Sequence, residues 1–149
     1  MTFYENTLPR EVSRGEVLLG GLVSFSVGVL FYPWIEILYR GYTHISMALA
    51  GGLAMAFLYV LAFFPLSRAS KMFLGALFVL ILELNIGLIC NMVLKLNVWD
   101  YGNLPLSFCG QISFIYAVFW FFLCLPFSIL AEKLALLLWR LKPTESRPS

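Results

Sequence analysis

Four runs of apolar side chains, each about as long as a bilayer crossing requires, constrain this chain more than any other feature. They fall near Val17–Tyr39, Ile45–Pro65, Met72–Leu94 and Phe108–Leu130. A run of about twenty residues crosses the ~30 Å hydrocarbon layer as an α-helix. None of the four alternates apolar with polar residues, which argues against a membrane barrel. In hydrocarbon every backbone group needs a protein partner, so spans of this kind must be helical. Composition agrees: 61% of residues are hydrophobic and 12% charged, against about a quarter charged in soluble domains. The 149 residues leave room for one compact unit. The expected fold is an all-α integral membrane protein, a four-transmembrane-helix bundle forming one membrane domain over residues 1–149.

Local signals set the ends of the spans. Ser13-Arg14-Gly15-Glu16 reads as a capping box that starts the first helix, and Arg40-Gly41 ends it. Pro65 ends the second, and Pro126 should kink the fourth. Residues 131–142 read as an amphipathic end anchored at the headgroups by Trp139, Arg140 and Lys142, and the polar residues 143–149 as a disordered tail. The first sixteen residues are polar and the apolar run after them is too long for a signal-peptide core, so no cleavable leader is expected.

Basic residues sort to one side. Arg10, Arg14, Arg68, Lys71, Lys133, Arg140, Lys142 and Arg147 share it; Arg40 and Lys95 stand opposite. The positive-inside rule then places both termini in the cytoplasm and the protein in the cell membrane, multi-pass. No basic patch is interleaved with aromatics, so nucleic acid is not an expected partner. Cys90, Cys109 and Cys124 match no metal spacing, and neither a metal nor another cofactor is implied. They read as small apolar residues, with a Cys90–Cys109 bridge as the lesser alternative.

Glu83 lies about halfway along the third run, where a carboxylate costs several kcal/mol unless protonated, paired or wetted. Helical spacing puts Gly87, Cys90 and Asn91 on its face and turns Asn85 about 160° away. Arg40 is the nearest cation available to Glu83, and then only by bending inward; it also stands one turn beyond Glu36, the favourable order for an ion pair. His44 reads as a solvated loop residue. Trp99-Asp100-Tyr101 precedes turn residues, and Gln111 needs a partner at the depth of Asp100 or Glu36. The candidate polar cluster is Glu36, Arg40, Glu83, Asn91, Trp99, Asp100, Tyr101 and Gln111. It can be a structural network or a site for cargo or protons. Small residues recur at Gly20, Ser24 and Gly28 and at Ala48, Gly52 and Ala56, a spacing that lets helices approach, either within the chain or between subunits.

An acid and an arginine closing span one, an acid inside span three, then Trp99-Asp100-Tyr101, Pro105, Gly110-Gln111-Ile112 and Trp120 form an ordered set. In that order the chain resembles the small bacterial membrane family called Putative ABC-transporter type IV (CmpB-like) over Gly28–Trp120. The positions carried over are Glu36, Arg40, Glu83, Trp99, Asp100, Tyr101, Pro105, Gly110 and Trp120. The chain departs from the family pattern at Gly102 and Ser113, where the family has Ser and Cys. The resemblance implies an integral protein of the bacterial plasma membrane with a role in transport.

Three functions are compatible with these residues. The first is a permease-like subunit of a transport system, working as a homo-oligomer or with other membrane subunits. No G-x-x-x-x-G-K-[ST] loop occurs, so ATP hydrolysis would come from a separate ATPase. The second is a non-transporting scaffold, chaperone or sensor that binds a membrane protein or lipid. The third is an intramembrane lipid-modifying enzyme, for which no catalytic set stands out: His44 is the one histidine.

Overall fold

A computed structural model describes residues 12–141, and the polar tail 143–149 lies outside that range. Four helices carry the chain: α1 Arg14–Arg40, α2 Ile45–Ala62, α3 Arg68–Gly87, extended by a π-helical turn Leu88–Val93, and α4 Phe114–Arg140. All four are long and apolar enough to span a membrane. The protein is therefore an all-helical membrane bundle. The helices alternate in direction, so one end holds the α1–α2 turn and the long α3–α4 connection. The other end holds Ser13, the α2–α3 turn and Arg140.

Side chains set the helix boundaries. The capping box forms: Ser13 N–H donates to Glu16 Oε2 at 2.9 Å and Glu16 N–H to Ser13 Oγ at 3.3 Å. At the far end of α1, Gly41 adopts φ +80° and its N–H donates to the Ile37 carbonyl. His44 caps α2, its Nδ1 accepting from Ser46 N–H at 3.2 Å, so it is a structural cap and not only a solvated loop residue. Ser67 starts α3 and Ser113 starts α4. Residues 108–113 stay outside the last helix, because Cys109 and Gly110 take left-handed backbone and Phe108 bridges to Ile112. Pro33 and Pro126 lie within helices that continue past them.

Helix α2 is the centre of the bundle: half of its apolar window is buried, against 17% for α1. It packs against each of the other three helices. The small residues of α1 make its contact with α2 close. Gly20, Ser24 and Gly28 are all buried. Gly28 faces Gly51 so closely that a Cβ there would stand 2.7 Å from the Gly51 carbonyl carbon and 2.8 Å from Met55 Cβ. Gly52 receives Phe25 and Val29 in the same way. The α1 stripe is thus used inside the chain, and Gly52 of the α2 stripe with it. In lipid no hydrophobic effect joins helices, so this van der Waals fit is what holds α1.

At the Ser13 end, Glu132 of α4 accepts from Lys71 Nζ at 2.8 Å and from Arg68 Nη1 at 2.9 Å. Lys71 is buried, and the shared carboxylate ties α3 to α4.

Candidate functional site

The eight candidate residues separate into a bonded cap and one isolated acid. The cap lies at the Arg40 end. Glu36 is 8% exposed. Its Oε1 pairs with Arg40 Nη2, and its Oε2 accepts from Thr43 Oγ1 at 2.5 Å. Arg40 turns away from Glu83: its Nη1 donates to the Val98 carbonyl at 3.4 Å, and its guanidinium lies over Tyr42, 4.7 Å from the ring centre. Burial of Glu36 and partial burial of Arg40 make this pair less screened than a surface one.

Asn91 organises the long connection. It sits in the π-helical turn, where the wider backbone spiral redirects the end of α3. Its Nδ2 donates to the Trp99 carbonyl at 2.9 Å and to Gln111 Oε1 at 2.7 Å, while its Oδ1 accepts from Val98 N–H at 2.7 Å. Trp99 is buried, and its Nε1 donates to the Gln111 carbonyl at 3.0 Å. Gln111 Nε2 donates to the Cys109 carbonyl at 3.0 Å. The partner of Gln111 is therefore Asn91, not Asp100 or Glu36. Asn91 points into the connection and not, like Glu83, into the bundle.

Asp100 is exposed and accepts from Gly102 N–H at 2.7 Å, a local turn contact that leaves it apart from Arg40. Tyr101 stacks on Tyr116 of α4 with ring centres 4.3 Å apart. Burial raises the Tyr101 phenol well above its ordinary range. Cys90 is buried, Cys109 exposed and both are free thiols, so the bridge between them does not form. Four non-glycine residues of this connection, Lys95, Asn97, Leu106 and Cys109, have φ near +50°. Such backbone persists only where surrounding contacts hold it, and here the Asn91–Gln111–Trp99 network does so.

Glu83 lies below this cap and takes no part in it. It is 3% exposed, and its Oε2 is buried without a hydrogen-bond partner. Trp120 Nε1 is likewise buried and closes no hydrogen bond. Both residues line a cavity of about 40 Å³. All four helices contribute walls: Gly28 and Tyr32 from α1, Gly51 and Met55 from α2, Val79 with Glu83 from α3, and Trp120 with Cys124 from α4. Room for a water needs about 10–15 Å³ and at least two polar partners. This cavity has space for a few waters, and Glu83, Trp120 and Tyr32 bring polar groups to its lining. Trp99 does not line it; Tyr32, stacked on Trp120 with ring centres 5.5 Å apart, does. Among the described residues no group of His, Cys, Asp and Glu has the geometry of a metal site.

Two features escaped sequence reading. One is the Arg68–Lys71–Glu132 tie; three charges beside apolar runs looked like interfacial solvation. The other is Gly51, whose approach to Gly28 lies outside the small-residue register counted on α2. The signal available was a second glycine beside Gly52.

A four-helix membrane bundle with a hydrogen-bonded cap and a buried carboxyl at its core defines an integral membrane protein. The chain belongs to the family described as Putative ABC-transporter type IV, whose model matches residues 16–145. No curated protein and no solved structure matches it.

Proposed function

We propose that this chain is a permease-like subunit of a membrane transport system, with Glu83 as its working group and the cap as its support. The observation that carries the reading is the Glu83 carboxyl, buried where all four helices meet and with Oε2 unpartnered. A bundle built only for stability would leave an apolar residue there, since an unmatched buried carboxyl opposes folding. Its retention suits a step in which a proton or a small polar group arrives and leaves. Membership in a family named for ABC transporters supports the same reading.

The other seven candidates support the acid indirectly. Glu36 pairs with Arg40, and Asn91 and Trp99 bond Gln111, while Arg40 also reaches the Val98 carbonyl and keeps its Nε buried without a partner. They hold the strained connection over the bundle. The charge count supports an orientation with this cap on the outer side of the cell membrane and both termini in the cytoplasm. A cavity of about 40 Å³ is too small to pass cargo, so a pathway needs partner chains. The sequence lacks a phosphate-binding loop, so ATP hydrolysis belongs to a separate ATPase.

The hydrogen bonds within the cap favour a second reading, a scaffold or sensor that presents an ordered outer surface to another membrane protein. An acid–base enzyme finds less support: Glu36 is engaged by Arg40 and Thr43, and Asp100 is exposed away from both other acids.

The test is purification of the full chain from its own membranes in mild detergent, with its stoichiometric neighbours. The expected result is an ATPase subunit at fixed ratio whose hydrolysis falls at least tenfold with Glu83→Gln while the complex stays intact. A defined partner without ATPase activity assigns the scaffold reading. Equal hydrolysis by wild type and Glu83→Gln removes Glu83 from the mechanism.

A further inference from the structure

Asn85 faces the acyl chains. Of the exposed side chains in the middle of the four helices, among the described residues, Ser26 and Asn85 alone are polar; the remainder are aliphatic or aromatic. Ser26 spends its one hydroxyl hydrogen on the Leu22 carbonyl at 3.0 Å. Asn85 is different. Its Nδ2 donates to the Ile81 carbonyl at 2.7 Å, which uses one N–H and leaves the other, together with the Oδ1 acceptor, directed outward. The residue stands eight positions before Val93 on the apolar helix Arg68–Val93, roughly 12 Å inside its end at 1.5 Å per residue. At that depth no water is available, and an open amide donor and acceptor face lipid at a cost.

The surrounding face explains what can meet it. Phe73, Leu77, Ile81, Ile89 and Met92 lie above and below Asn85 on the same exposed side of α3 and its π-helical extension. None is charged. An amide is complementary to itself, since each carries both a donor and an acceptor. Two copies of the chain inserted with the same orientation are related by a two-fold axis along the membrane normal. On such an axis Asn85 meets its own counterpart at equal depth, and no other pairing of this face achieves that. Asparagine in hydrocarbon drives helix association in this way.

We propose that the chain forms a parallel homodimer through α3, in which the Asn85 amides of two copies exchange hydrogen bonds within an apolar seam of Leu77, Ile81 and Ile89. The interface is on the side of α3 opposite Glu83. It therefore joins two cores back to back and leaves each cavity intact. This inference does not depend on what Glu83 does.

The experiment uses the full chain reconstituted in phosphatidylcholine liposomes, with subunits counted by single-molecule photobleaching over a range of protein-to-lipid ratios. The wild type should titrate between monomer and dimer. Asn85→Leu should weaken association by about tenfold or more, and Asn85→Gln, which keeps donor and acceptor, should retain it. In a Cys109→Ser background, Ile81→Cys should form an intermolecular disulfide under mild oxidation, while Leu30→Cys on α1 should not. A wild type that stays monomeric at every ratio overturns the proposal. So does an Asn85→Leu variant that dimerises as well as wild type, or one that lowers the unfolding temperature without moving the dimer equilibrium. Asn85-dependent binding of a different membrane subunit, with no self-association, assigns the face to that subunit and overturns the homodimer.

Discussion

Gly87 and Gln111 are in contact where the bundle meets its cap. A Cβ on Gly87 would stand 3.0 Å from both Cβ and Cδ of Gln111, and closer still to Oε1. Gln111 has nowhere to go, since Asn91 holds its Oε1 and the Cys109 carbonyl holds its Nε2. The absent side chain on α3 is what allows the glutamine of the connection to seat.

Gly87→Ala should therefore destabilise the protein by about 1–3 kcal/mol through overpacking. Thermal unfolding in detergent measures it. Gln111→Ala alone should also destabilise, by stranding Asn91. The double variant should lose less than the sum of the two, because the clash disappears with the glutamine. Additive losses would place the effect of Gly87 elsewhere.

Arg40→Ala leaves Glu36 nearly buried with only Thr43 beside it. Removing one partner of such a pair costs about 3 kcal/mol. The unfolding temperature should fall, and the fall should be smaller for Glu36→Gln combined with Arg40→Gln, which removes both charges. An unfolding temperature unchanged by Arg40→Ala would show that the pair contributes nothing.

Glu83→Leu should raise stability by about 1–2 kcal/mol, since a buried carboxyl without a full set of partners is replaced by an apolar side chain of similar size. The same variant should be inactive in the complex described above. A fall in unfolding temperature would make Glu83 a structural residue.

Gly28→Ala should detach α1 from α2. The Cβ would meet the Gly51 carbonyl and Met55 Cβ at 2.8 Å or less, and backbone cannot yield as a side chain can. The expected loss is about 2–3 kcal/mol, read as early melting and as protease sensitivity of α1.

Tyr101 provides a pH test. Burial raises its phenol above the ordinary value, so the folded chain keeps a proton that the unfolded chain gives up. The unfolded state then binds fewer protons, and stability falls as pH rises above about 10. The contribution is intact below the unfolded value. Tyrosinate absorbance should show a late-titrating component, and Tyr101→Phe should lower it by the amplitude of one phenol. A Tyr101 that ionises freely in the folded state would contradict its burial.

Much of the fold was legible in the residues. Long apolar runs, the Ser13–Glu16 capping box and Gly41 act locally or through solvent, so their consequences need no knowledge of neighbours. The pairing of Glu36 with Arg40 is equally local, one turn apart on one helix. The partners of Gln111 were not legible. Asn91 is twenty positions away, and its direction depends on a π-helical turn that no propensity signals. The burial of Lys71 against Glu132 was hidden for a related reason: a charge at the end of an apolar run looks interfacial until a second helix covers it.

The sequence alone determined the solvent of this protein, because a chain so poor in charge with four bilayer-length runs has no aqueous way to bury them. It also determined that a carboxyl must enter the hydrocarbon, since Glu83 cannot leave its run. Only the tertiary structure decided what that carboxyl meets. Arg40 is taken by Glu36 and the Val98 carbonyl, the polar loop is consumed by its own hydrogen bonds, and Glu83 is left with Trp120 beside an apolar cavity. The reason is competition: each cation and amide has few bonds to give, and which partners it takes is set by distances among helices far apart in the chain.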